Sequence, residues 1–324
     1  MIYFILLFIS FLFTYFIKNY AIKKSLVATV NERSSHTVPT PHGGGIAIAL
    51  TWFAGLLYLF TCNTIEPSLF YALMCGSVIS IVSFCDDIYE LSPKVRLIVQ
   101  AGAAVVGLYF IGGLQSLTFS VFSIENPFLA NIFAFLLIVW YINLTNFIDG
   151  INGYVGSMFV FLGCSGLILF GDAHFGVLVA SVLGFLVWNW NKAKIFMGDV
   201  GSTLLGYNIA IFTLYYANQE ASNLWVWIIL FGVFWFDATL TLIKRKLNHE
   251  KLSQAHKKHA YQRLTQAGWS HHKVTNYSIV LHVVLLGIVL MSKWLDIDIL
   301  FGFIVSLAVL YGAFSFVDSK KKFQ

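Results

Sequence analysis

Five aspartates and a pair of histidines carry the chemistry open to this chain. Asp86 and Asp87 are adjacent in Ser83-Phe84-Cys85-Asp86-Asp87-Ile88-Tyr89, where an apolar run ends. Neighbouring carboxylates repel, so a divalent cation or a basic partner would give the pair a purpose; a solvated loop closing a membrane helix is the plain alternative. Asn143, Asn146, Asp149 and Asn152 recur every three residues. On a helix they form a slowly drifting polar stripe, suited to a ligand or a metal's coordination shell, or to hydrogen bonds between helices. The intervening Gly150 and Gly153 mark where the backbone leaves the helix or is closely approached. Asp199 stands between Gly198 and Gly201 just before a further apolar run, either as a helix cap or beside free N–H groups that favour anions. No Gly-x-x-x-x-Gly-Lys-Ser/Thr pattern is present, which excludes a nucleotide P-loop there. Asp237 lies inside an apolar run, a functional position by default or one half of a structural ion pair. His256, His259 and Arg263 share one side of a polar helix expected over 250–266 and suit phosphate contacts. Their spacing is a weak zinc signal, because no acid accompanies it.

The elements that must position these groups are membrane helices. Of 324 residues 58% are apolar, 17% aromatic and only 11% charged. Apolar stretches that approach or cross a ~30 Å hydrocarbon core run over 2–17, 44–62, 68–85, 97–112, 129–145, 154–170, 174–190, 202–217, 223–243, 276–292 and 297–316. The expected fold is an all-α polytopic integral membrane protein of about 11 transmembrane helices, forming one membrane-embedded domain over 1–324 with a His-bearing loop at 244–275. With the N-terminus outside, nineteen of the twenty Lys and Arg fall on one side and only Lys293 on the other. By the positive-inside rule the basic side, with the C-terminus, is cytoplasmic. The candidate acids gather there too, and elaboration is confined to that side.

Other classes fit less well. The basic residues are split among loops and form no nucleic-acid recognition element. The first apolar segment has no basic residue before it and no evident cleavage site, so it reads as a retained helix. Cys62, Cys75, Cys85 and Cys164 have no C-x-x-C spacing and read as packing residues. The run His36-Thr37-Val38-Pro39-Thr40-Pro41-His42-Gly43-Gly44-Gly45 is a stiff turn entering a helix start, whose glycines suit a close helix contact. A secondary transporter with Asp237 as coupling-ion site is the rival of another class; it predicts acids near the midplane and a broken helix there. A lipid-binding or structural membrane protein would leave the clustered acids without a purpose.

In this order the segments resemble the polyprenyl-phosphate N-acetylhexosamine-1-phosphate transferase family. The resemblance covers about residues 1–316. It rests on Pro39-Thr40-Pro41 with Gly43-Gly44-Gly45, Asp86-Asp87, Asn143-x-x-Asn146-x-x-Asp149-Gly150, Phe196-Met197-Gly198-Asp199-Val200-Gly201-Ser202 and the His-bearing loop. It implies transfer of a sugar 1-phosphate from a UDP-sugar to a polyprenyl phosphate such as undecaprenyl phosphate, with release of UMP, at the cytoplasmic face of a bacterial inner membrane. It further implies magnesium, or manganese in its place, with Asp199 and Asp87 as ligands. Asp86, Asp87, Asp149 and His259 form the implied catalytic set, and Asn143, Asn146, Asn152, His256 and Arg263 the substrate-binding set. A homodimer is compatible with the resemblance.

Two departures narrow the branch. Asn152 stands where many relatives have an acid, and His256-Lys257-Lys258-His259 lacks the consecutive histidines common in the peptidoglycan enzymes. The expectation is therefore the O-antigen or surface-polysaccharide branch, with an N-acetylated 6-deoxyhexose donor ranked first, an N-acetylhexosamine second, and the phospho-N-acetylmuramoyl-pentapeptide transferases as the alternative.

Overall fold

A computed structural model describes residues 1–24, 27–28, 39–89, 91–119, 122–252, 254 and 256–323. His36 and the beginning of the Pro turn lie outside the described residues. The chain runs α1 (Ile2–Lys23), α2 (Gly45–Thr61), α3 (Pro67–Met74), α4 (Gly76–Tyr89), α5 (Pro93–Phe110), α6 (Pro127–Ile148) and α7 (Tyr154–Phe170). It continues through α8 (Ala173–Asn189), α9 (Asp199–Gln219), α10 (Ser222–Leu230), α11 (Gly232–Leu247), α12 (Ala260–Gln266), α13 (His271–Trp294) and α14 (Ile299–Lys320). Two short antiparallel pairings, Val27–Ala28 with Thr40–Pro41 and Leu117–Phe119 with Phe122–Ile124, complete it.

Every apolar run is helical, because a chain in hydrocarbon must satisfy its backbone internally. Among the described residues, five helical stretches are long and apolar enough to cross a membrane, namely α1, α3 with α4 read together, α6, α13 and α14. A sixth forms if α10 and α11 count as one span, and the protein is a multi-pass membrane protein. The run expected over 223–243 is thus not straight: it bends by 75° at the break between α10 and α11. Asp237 consequently lies little more than a turn past the bend.

At the centre stands α9, buried along nearly its whole length and packed against α2, α3, α4, α6 and α10. A helix buried on all sides marks a bundle core. Helices start where the sequence supplies donor-satisfying ends: Ser92, Asn126, Ser270 and Asp298 side chains accept from the first turns of α5, α6, α13 and α14. Pro93 and Pro127 occupy first helical positions, where the missing N–H costs nothing.

The loop after α11 departs from the expected long helix, since among its described residues only Ala260–Gln266 is helical. Arg245 is the physical reason. Its buried guanidinium donates to the carbonyls of Lys251, Leu252 and Gln254 and to the Glu250 carboxylate. Those carbonyls wrap around a planar five-donor group instead of closing helical turns.

The glycine run does make a close contact. Gly44 and Gly45 N–H groups donate to the carbonyls of Phe196 and Met197 at 2.9 and 2.8 Å, and Phe196 N–H returns a bond to Pro41. A Cβ on Gly45 would sit 2.3 Å from the Gly201 amide nitrogen. Gly45→Ala should therefore force α2 and α9 apart and cost about 1–3 kcal/mol, read as a lower unfolding temperature in detergent. Gly287→Ala, where an added Cβ meets nothing within 4 Å, should leave that temperature unchanged or slightly higher. Equal behaviour of the two variants would contradict the contact.

Candidate active site

The site is built from helix ends. Gly198 takes φ +75°, a left-handed conformation that favours glycine, and turns the chain so that Asp199 opens α9. The helix N-terminus favours that carboxylate. Asn146, from the last turn of α6, donates through Nδ2 to Asp199 Oδ1 at 2.9 Å and to Ser202 Oγ at 3.0 Å. Arg96, in the first turn of α5, places Nη1 2.9 Å from Asp86 Oδ2 at the end of α4 and 3.3 Å from Asp199 Oδ2. Thr203 donates to the Asp199 carbonyl at 2.6 Å and lies 3.0 Å from the Ser83 hydroxyl. Four helices meet at one point.

Asp87 lies across from Gly198, its Oδ2 3.6 Å from where a Cβ would stand, within electrostatic reach of Asp86 and Asp199. Asp149 follows the end of α6; burial, reinforced by the Asp199 charge, pushes its carboxyl up to about 7. His42, ahead of α2, also faces Asp199: burial holds its imidazole below the usual value while the carboxylate opposes that shift. Asp86, Asp87, Asp149 and Asp199 are thus brought together with one guanidinium among them.

The polar stripe is only partly helical. Asn143 pairs with Gln100 Oε1 at 2.8 Å and the Val139 carbonyl at 2.8 Å. The helix ends at Ile148, so Asp149 and Asn152 sit on non-helical backbone, at the two glycines that signalled a departure. Asn152 accepts on its carbonyl from Thr275, while its side-chain Oδ1 is buried without a partner among the described residues.

In the loop, His256 and His259 rings lie 4.8 Å apart. Burial, with His259 and Arg245 adding positive neighbours, lowers the His256 imidazole to about 4. His256 Nδ1 accepts from the Lys258 N–H, and Lys258 pairs with Glu250 at 2.7 Å. Arg263 does not face the carboxylates: its buried guanidinium is bound to Asp318 and the Lys321 carbonyl and stacks near Phe314. Asp237 is bound by the same loop, through the Ala260 N–H at 2.8 Å.

Sequence reasoning missed Arg96, His42, Gln100 and Ser202. Arg96 carried a signal, as the one arginine in the first turn of a Ser-Pro helix start ten residues beyond Asp86. His42 was readable only as part of a turn.

Among the described residues no three His, Cys, Asp or Glu side chains converge on one point. Magnesium needs no such cage, since it is usually held by one or two carboxylates with waters and substrate phosphates. Hard oxygen donors in excess over one guanidinium fit that ion, and Asp199 with Asp87 would hold it.

The glycosyl transferase family 4 model matches residues 69–217. A probable undecaprenyl-phosphate N-acetylglucosaminyl 1-phosphate transferase of Bacillus subtilis (strain 168) is 33% identical over 325 residues, covering 94% of this chain and 89% of that protein. The chain belongs to the polyprenyl-phosphate N-acetylhexosamine-1-phosphate transferase family. Undecaprenyl-phosphate alpha-N-acetylglucosaminyl 1-phosphate transferases of Salmonella typhi and Escherichia coli (strain K12) are 32% and 30% identical. Each of these two matches covers 61% of this chain and 57% of the relative. The family match spans Asp86, Asp87, Arg96, Asn146, Asp149 and Asp199, so the meeting point of α4, α5, α6 and α9 lies within the matched segment.

Proposed function

We propose that this protein transfers an N-acetylhexosamine 1-phosphate from a UDP-sugar to undecaprenyl phosphate and releases UMP. The observation that carries this reading is a cavity of about 320 Å³ between α4, α5, α6 and α9. Arg96, Asn146 and Asp199 form its polar wall, and Ile79, Val82 and Leu97 its apolar one. A lipid with a phosphate head matches that division. A phosphate monoester has a second pKa of ~6, so the acceptor is already largely dianionic at neutral pH and needs no strong base. An acceptor oxygen attacks the phosphorus that carries the sugar, the bond from that phosphorus to the bridging oxygen breaks, and UMP leaves with the electron pair. Arg96 neutralises acceptor charge, and Asn146 holds Asp199 in place. Bound magnesium would neutralise charge on the pyrophosphate. His259 and His256 serve the donor.

The relatives named for N-acetylglucosaminyl transfer support an N-acetylhexosamine donor ahead of the 6-deoxy sugar, and either ahead of the muramoyl-pentapeptide. A homodimer is the assembly we would test first. We further infer eleven spans with the N-terminus outside, in a bacterial inner membrane, with the carboxylates and the C-terminus on the cytoplasmic face. The concentration of Lys and Arg at the carboxylate end supports this orientation. The match to transferases over most of the chain favours the transferase reading over a transporter.

Activity should require a divalent cation and fall at least 100-fold in Asp199→Asn, with membrane insertion unchanged, as measured by UMP release. Full turnover by this variant, or by the wild type in excess chelator, would remove the metal argument. Orientation has its own test. Cysteines placed in the 244–275 loop, in a background without the native four, should resist impermeant thiol reagents in intact cells and react once the membrane is opened. Labelling from outside would overturn the topology.

A further inference from the structure

Asp237 is the acid that the proposed chemistry leaves unused. It is 5% exposed, on α11 just past the bend, and no Lys or Arg pairs with it among the described residues. Its Oδ1 accepts from the Ala260 N–H at 2.8 Å and from the Thr241 hydroxyl at 3.1 Å. The same oxygen lies 3.5 Å from Nδ1 of His259, itself 3% exposed. Asp237 Oδ2 and His259 Nδ1 are both buried without a hydrogen-bond partner among the described residues. A buried carboxylate oxygen left without a donor costs free energy, and the His259 ring nitrogen stands within reach of this carboxylate.

We propose that Asp237 is the positioning residue of His259: it holds the proton on Nδ1, fixes the ring, and leaves Nε2 as the nitrogen that serves the donor. This rests on the transferase reading given above. A buried carboxylate that orients an imidazole is a recurrent device in catalysis, and such contacts are commonly long before substrate binds and tighten afterwards. The Ala260 bond makes the pairing rigid, since one carboxylate oxygen fixes both the start of α12 and the histidine that precedes it. Tyr261 carries the alignment onward. Its hydroxyl donates to the Phe147 carbonyl at 3.3 Å, and a Cβ on Gly150 would lie 2.2 Å from it. The His259 loop is thereby seated on the Asp149 segment.

The test is a double-mutant cycle read as kcat/KM for UMP release, with UDP-N-acetylglucosamine, undecaprenyl phosphate and magnesium. Asp237→Asn should lower kcat/KM roughly 10- to 100-fold, the range for a group that orients an imidazole, yet less than twofold in a His259→Ala background. Equal loss in both backgrounds would make Asp237 a merely structural anchor and overturn the proposal. Should Asp237→Asn fail to fold, Thr241→Val removes one donor to the same oxygen. It should cost about fivefold, again only when His259 is present. The pairing is also readable without turnover, in nitrogen-15 spectra of labelled histidine. The signal absent from His259→Ala should carry its proton on Nδ1 and shift in Asp237→Asn; an unshifted signal would contradict the proposal. A wild type that releases no UMP but shows this shift would instead sink the transferase reading alone.

Discussion

Crowding of carboxylates where the ends of four helices meet is the constraint on which the rest of the structure depends. Asp86, Asp87, Asp149 and Asp199 come from three different stretches of chain, and one guanidinium, Arg96, lies between two of them. Arg96 is 37% exposed, so neither ion pair contributes much stability. Its effect is geometric, since a planar group reaching both α4 and α9 sets the distance between their ends. In the proposed function, the charge left over by that arrangement is what a further cation would balance.

Holding like charges together requires rigid supports, which accounts for the interior. Buried α9 delivers Asp199 from a helix that has no free face, and the Gly45–Gly201 contact pins its first turn against α2. On the other side the loop is fixed by buried ionic groups. Arg245 gathers the loop carbonyls, Arg263 ties α12 to Asp318, and Asp237 receives the Ala260 N–H. Such groups are costly to bury without partners, and two of them are arginines whose forked donors can satisfy several acceptors at once.

Much of this was legible in the sequence. Apolar runs of helical length, ended by polar residues, located the helices, since hydrocarbon permits little else. The adjacent Asp86 and Asp87, the Asn146-to-Asp149 spacing and the Gly-Asp of 198–199 are local patterns, and each lies at the site. What escaped depends on three-dimensional closure. Arg96 looked like one more orienting charge until α5 was placed against α4 and α9. The bend between α10 and α11 has no proline to announce it. A helix over 250–266 was a fair reading of polar residues, but Arg245 claims the carbonyls such a helix would use. Arg263 shares a sequence pattern with His259, yet turns to Asp318.

The central claim is that phosphorus moves with the sugar. Its most direct test supplies UDP-N-acetylglucosamine labelled at the phosphorus bonded to the sugar, together with undecaprenyl phosphate, magnesium and purified protein. The account predicts that the label passes into the organic-soluble lipid while unlabelled UMP appears in equal amount. Release of UDP, with the label left in the aqueous phase, would show transfer of the sugar alone and contradict it.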